Sequence, residues 1–301
     1  MKSSSQQLPL ILPDGISVMV KREDLIHPFL SGNKYRKLYY NLEKAKKEGF
    51  TRLLTFGGAF SNHIAAAAAA GFHFGFETIG IIRGEELRDK IQENPTLRFA
   101  EQQGMKFDFI SREAYRLKAE AAFVEALQAK YGAFYLLPEG GTNELAVKGC
   151  EEILEEDDKI KYTHICCAVG TGGTISGLIN TSGSTQKVLG FPALKGSFLS
   201  EDICKFVNNS RWELINDYHF GGYAKINEAL IRFINAFYAE TGVPLDPVYT
   251  GKMMFGVMDM IAKGYFPEKA QILVIHTGGL QGIEGMNKIL AQKKMPLIIN
   301  E

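Results

Sequence analysis

Residues Thr163–Ile179, THICCAVGTGGTISGLI, decide how the rest of the chain is read. A β-branched and apolar run leads into four glycines and hydroxyl residues and then into a helical pattern. Two further stretches repeat the unit: RLLTFGGAFSNHIAAAAAAG over Arg52–Gly71 and QILVIHTGGLQGIEGMNKIL over Gln271–Leu290. Short apolar strands that alternate with helices predict an α/β fold whose parallel sheets are covered on both faces. In such sheets ligands bind beyond the carboxyl ends of the strands, which is where all three glycine-rich turns fall.

Composition narrows the partners. The 301 residues are 46% hydrophobic and 23% charged, an ordinary globular profile with room for two lobes. Lys plus Arg and Asp plus Glu both count 34, so no net field recruits nucleic acid or an acidic membrane. Cys150, Cys166, Cys167 and Cys204 form no Cys-x-x-Cys pair and sit near no histidine cluster, so no metal is expected. Together with an amino-terminal apolar run broken by Pro9 and Pro13, reduced thiols predict a cytoplasmic protein. No stretch approaches the roughly 20 apolar residues that a membrane span needs.

Several residues stand out for chemistry. Gly170, Thr171, Gly172, Gly173 and Thr174 set free amides and two hydroxyls at a helix start, an anion cradle that suits a phosphate. No Gly-Lys-Ser/Thr follows, and Ile175 stands where a dinucleotide fingerprint has its third glycine. Lys34, in SGNKYRKL, falls on the first turn of a predicted helix, where the positive end of the dipole disfavours an ammonium. Either that turn is exposed and the lysine ordinary, or the amine is held near neutrality for use as a nucleophile. Ser61 and Asn62 are helix-capping types behind paired glycines, and the next helix face is almost all alanine, which admits a flat ligand. His63 taken alone reads as structural. Tyr223, Tyr249 and Thr277 each stand beside glycines at turns, and the methionines after Tyr249 read as core.

Six motifs together resemble one family. REDLIHPFLSGNKYRKL (Arg22–Leu38), GGAFSNH (Gly57–His63), LPEGGTNELAVKG (Leu137–Gly149), VGTGGTISG (Val169–Gly177), DPVYTGKMMFG (Asp246–Gly256) and IHTGG (Ile275–Gly279) occur in order. Their order and spacing are similar to the pyridoxal-phosphate enzymes of the 1-aminocyclopropane-1-carboxylate deaminase and D-cysteine desulfhydrase family. The resemblance implies a tryptophan-synthase-β-like fold of two open parallel-sheet lobes. Residues 1–45 and 146–301 would form the larger, cofactor-binding lobe and residues 46–145 the smaller, in a homodimer.

The resemblance also implies roles. Lys34 would bond covalently to pyridoxal 5'-phosphate, with Lys37 and the Gly170–Thr174 cradle on its phosphate, Asn62 on its 3-hydroxyl and Thr277 at its ring nitrogen. Ser61, Asn62, His63 and Thr250 would meet a small amino-acid substrate, and either Ser61 or one of Tyr223 and Tyr249 would be the second group, beside Lys34, that moves protons. Thr250 and Thr277, where the deaminase branch carries glutamate and leucine, match the desulfhydrase side. A carboxylate at the ring nitrogen deepens the electron sink, whereas a hydroxyl leaves a weaker one that suffices to expel a β-thiolate. The expected activity is therefore D-cysteine-type β-elimination, with deamination of 1-aminocyclopropane-1-carboxylate as the alternative. A nicotinamide-dependent oxidoreductase and a non-catalytic cofactor carrier are the rival classes. The chain departs from the pattern in a short connection after Ile179 and in Glu139 ahead of its paired glycines.

Overall fold

A computed structural model describes residues 2–27, 30, 32–196 and 198–300. Pro28, Phe29 and Ser31 of the first motif lie outside them. The described strands are β1 (Ser5–Gln7), β2 (Ser17–Lys21), β3 (Arg52–Gly57), β4 (Glu77–Arg83), β5 (Lys106–Ile110), β6 (Tyr135–Leu137), β7 (His164–Val169), β8 (Lys187–Pro192), β9 (Trp212–Leu214) and β10 (Gln271–Ile275). They make two sheets, one ordered β1-β2-β10-β7-β8-β9 and the other β5-β4-β3-β6. Apart from β1, antiparallel to β2, every pair is parallel, as the apolar strand runs predict.

Both sheets are buried on both faces, and the two-residue period of a strand shows how. Along β7, Ile165, Cys167 and Val169 enter one apolar cluster with Ile175 and Leu178, whereas Cys166 and Ala168 enter another with Leu230, Met253 and Val257. In the smaller sheet Leu53 and Ile82 pack against the alanine helix Asn62–Phe74, and Leu54, Phe56 and Ile81 pack against Tyr115 and Leu127. The helix Asn33–Lys47, which carries Lys34, lays Leu38, Leu42 and Ala45 into the same cluster as Leu53.

Helix ends follow their sequence signals. Asn94, Asn143 and Asn227 each accept a bond from an amide three residues on, and Gly75 and Gly242 close helices in the left-handed region. The stretch after Ser111 carries two helices, Arg112–Arg116 and Ala121–Tyr131. The break lets both Tyr115 and Leu127 reach the cluster under Phe56. KVLGFP forms strand β8, between β7 and β9. All four cysteines are free, and three are buried.

Candidate active site

The carboxyl ends of β3, β7 and β10 converge on one cavity. It is lined by Asn33, Lys34, Lys37, Ser61, Asn62, His63, the 170–174 turn, Tyr223, Tyr249, Thr277, Gly279 and Gln281 among others. Its empty space, counted with the solvent at its mouth, is about 790 Å³.

Lys34 stands at the start of its helix because the backbone there is forced. Gly32 adopts φ +64°, and a Cβ on it would overlap the Thr277 carbonyl, so the turn before Lys34 is pressed against the turn after β10. Asn33 fixes the other side, its amide donating to the Thr174 hydroxyl at 2.7 Å. The Lys34 amine itself has no hydrogen bond or ion pair among the described residues. Burial, with the neighbouring Lys37 charge next, brings it down to about 7, so near neutral pH much of it is the free amine.

Lys37 lies one turn on, and its ammonium donates to the Gly140 carbonyl at 3.1 Å and to the hydroxyls of Thr142 at 2.9 Å and Thr171 at 3.3 Å. Burial lowers its pKa also. The cradle thus has a cation in its wall. Gly173 has to be small, since a Cβ there would sit 2.9 Å from Thr142 Oγ1 and 3.2 Å from Lys37 Cε.

Across the cavity Ser61 caps the alanine helix, its hydroxyl accepting from the Ile64 amide. Asn62 Oδ1 accepts from Gln281 at 2.9 Å, which turns Nδ2 toward Gly279. A side chain at position 279 would close on that Nδ2 at 2.8 Å. His63 is buried, and its tautomer follows from its neighbour. Thr55 donates to the Leu137 carbonyl at 3.0 Å, so the 2.8 Å contact with His63 has Nε2 as the donor, and Nδ1 is a buried acceptor without a partner. Burial and the two lysine charges hold His63 well below its usual pKa, so the ring is neutral.

Tyr223 and Tyr249 meet edge to face with ring centres 6.1 Å apart. Burial raises both, so both are protonated donors, although Tyr223 still reaches solvent at 40% exposure. Thr277 lines the cavity as expected. Thr250 does not: it is fully buried, and its hydroxyl donates to Asp246 Oδ1 at 2.7 Å while accepting the Asp246 amide. Thr250, expected to meet the substrate, is instead tied to Asp246 and is not among the residues that line the cavity.

Asp246 was missed by the sequence reading. Its two oxygens take the amides of Val248, Tyr249 and Thr250 as well, which fixes the helix start that presents Tyr249. Burial raises its pKa, against the pull of these donors. Asn33, Thr142 and Gln281 were also missed. Only Asp246, a capping type four residues before a helix, had a signal in the sequence.

The chain matches the model of the pyridoxal-phosphate dependent enzyme family over residues 6–278, and it belongs to that family. It is 32% identical to the bifunctional D-cysteine desulfhydrase/1-aminocyclopropane-1-carboxylate deaminase of Arabidopsis thaliana mitochondria, over 90% of this chain and 74% of that one. It is 28% identical to the D-cysteine desulfhydrase of Klebsiella pneumoniae, over 88% and 87%. A crystal structure of a 1-aminocyclopropane-1-carboxylate deaminase homologue superposes with a TM-score of 0.82 at 29% identity, covering 97% of this chain and 94% of the other. The cofactor of the family is pyridoxal phosphate. The site fits it: a partnerless buried amine, a glycine cradle with a lysine in its wall, and an open asparagine amide lie around one cavity. No His/Cys/Asp/Glu group suited to a metal, and no helix long and apolar enough to cross a membrane, occurs among the described residues.

Proposed function

We propose that this enzyme catalyses β-elimination from a small D-amino acid of the D-cysteine type. D-cysteine and water would become pyruvate, ammonia and hydrogen sulfide. The observation that carries the choice is that no aspartate or glutamate lines the cavity among the described residues, whereas the partnerless hydroxyl of Thr277 does. Lys34, Lys37, the 170–174 cradle, Asn62 and Thr277 would hold the cofactor. Bound there, pyridoxal phosphate supplies an electron sink for the charge left when the substrate Cα loses its proton. A hydroxyl such as that of Thr277 at the cofactor ring, in place of a carboxylate, would leave that sink the weaker kind, enough to expel a thiolate.

The chain's own groups do the rest. Ser61 and the free amides opening the helix Asn62–Phe74 bind the substrate carboxylate. Lys34, near neutrality, takes the Cα proton. Tyr249 and Tyr223, both protonated donors, give the leaving sulfur its proton. His63, neutral and buried, adds no charge to the site. We also propose residues 1–45 with 146–301, and 46–145, as the two lobes that flank this site.

The purified protein with pyridoxal phosphate is expected to show the visible band of a lysine-bonded cofactor, absent in Lys34→Ala, and to release sulfide and pyruvate from D-cysteine. A band without sulfide refutes the elimination reading and favours the deaminase one, which release of 2-oxobutanoate from 1-aminocyclopropane-1-carboxylate checks. No band refutes Lys34 as the anchor.

A further inference from the structure

Lys252 has no part in the site as described, yet it is among the largest fully buried side chains of the molecule, at 2% exposure. It has no carboxylate partner among the described residues. Its amine donates instead to two backbone carbonyls, His219 at 2.9 Å and Gly222 at 2.8 Å. Those two oxygens are not arbitrary. The His219 carbonyl also accepts the Gly222 amide at 3.0 Å, and the Gly222 carbonyl accepts the Lys225 amide at 3.1 Å. They head two consecutive turns, and Tyr223 is the second residue of the second turn.

The turns are strained. Phe220 at φ +53° and Ala224 at +55° are non-glycine residues in the left-handed region, with Gly221 at +91° and Gly222 at +120° between them. Such a run persists only where surrounding contacts over-determine it. Tyr218 bonding to Asp259, and Phe220 packing on Phe255, dock the entry to the turns on the helix Thr250–Ala262. The part beyond, Gly222 to Ala224, is held to that helix by Lys252. The same helix begins directly after Tyr249, whose backbone Asp246 fixes. One helix thus sets both tyrosines, Tyr249 through its start and Tyr223 through the buried amine.

We infer that Lys252 is a positioning residue, whose bonds to the His219 and Gly222 carbonyls hold the strained turns in the conformation that sets the Tyr223 ring against Tyr249. Its amine keeps at least two N–H bonds in either protonation state, so the strap needs no net charge. The inference rests on the proposed use of the tyrosine pair as proton donor, and two separate measurements keep the two claims apart.

The first is hydrogen exchange of the cofactor-loaded full chain, which needs no substrate. In Lys252→Met the Gly222 and Lys225 amides are expected to exchange at least about 10-fold faster, with β10 unchanged. Lys252→Gln, whose shorter side chain keeps two N–H donors on a planar amide, is read in the same way and is expected to fall between. Unchanged exchange at both amides overturns the strap. The second is turnover of the proposed substrate. Lys252→Met is expected to lower kcat roughly 10- to 100-fold with KM and the visible cofactor band nearly unchanged, and to have little further effect in a Tyr223→Phe background. A loss as large in that background as in the wild type, or a full kcat, overturns the positioning role. Faster exchange in an enzyme that releases no sulfide leaves the strap standing and refutes the elimination reading alone.

Discussion

Replacing Lys34 by methionine in the cofactor-free protein tests the central electrostatic claim without any turnover. A free lysine amine titrates near 10.5, and in the cavity it titrates near 7, burial being the main cause and Lys37 the second. At about 1.36 kcal/mol per pH unit the gap corresponds to roughly 5 kcal/mol of penalty for charging the folded site. Lys34 retains partial contact with solvent through the cavity, so about 2 kcal/mol is the magnitude expected after screening. The sign follows from proton counts. Between about pH 7 and 10.5 the unfolded chain holds a proton on this amine that the folded chain lacks, so wild-type stability rises with pH across that window. Below the window both states are protonated and the penalty is complete. Methionine keeps most of the stem volume and removes the charge. Denaturant unfolding of the full chain should therefore find Lys34→Met more stable by about 2 kcal/mol near pH 6, with most of the gain gone by about pH 10. A wild type as stable as the variant near pH 6, or a difference that does not shrink with pH, refutes the reading of Lys34 as an amine held near neutrality.

Lys37→Ala removes the cation from the wall of the proposed phosphate cradle, so cofactor affinity measured by absorbance titration should fall about 10- to 100-fold, the range of one or two charge-assisted bonds. Because Lys37 is also the second cause of the lowered Lys34 pKa, that pKa should rise in the same variant, read from the pH dependence of cofactor bonding. Gly32→Ala places a methyl on the Thr277 carbonyl at a positive φ and should cost more than about 3 kcal/mol by denaturant unfolding, with loss of the visible band. Thr250→Glu would set a second carboxylate against Asp246, whose oxygens already take four donors. It should lower thermal stability sharply, at a cost of more than about 3 kcal/mol, and should not by itself confer ring opening.

The two sheets and the cavity were legible because they are written in local pattern. Apolar runs such as Ile165–Val169 and Ile272–Ile275 predicted parallel strands buried on both faces, and the glycine turns that follow them mark the rim where Lys34, Asn62 and Thr277 gather. Side-chain direction was not legible. Thr250 sits one residue beyond Tyr249, yet the carboxylate of Asp246 draws its hydroxyl into the core, a bond made across a turn whose geometry the residue types do not state.

Contacts between distant segments were the other blind spot, and they are where the site gets its rigidity. Lys252 reaches carbonyls 30 and 33 residues back, and Lys37 binds hydroxyls 105 and 134 residues on. No periodicity or capping rule records such pairs. What the sequence does contain is their cost: glycines at positions 32, 173 and 279, where a Cβ would strike a neighbouring segment, and non-glycine residues at 220 and 224 in a left-handed conformation. A glycine that no turn requires, or a bulky residue where glycine would be easier, marks a place where another part of the chain has imposed the geometry. Around this cavity both kinds border the groups with proposed chemical roles, so the machinery comprises the residues that touch the cofactor together with Gly32, Asp246 and Lys252, which hold those residues in register.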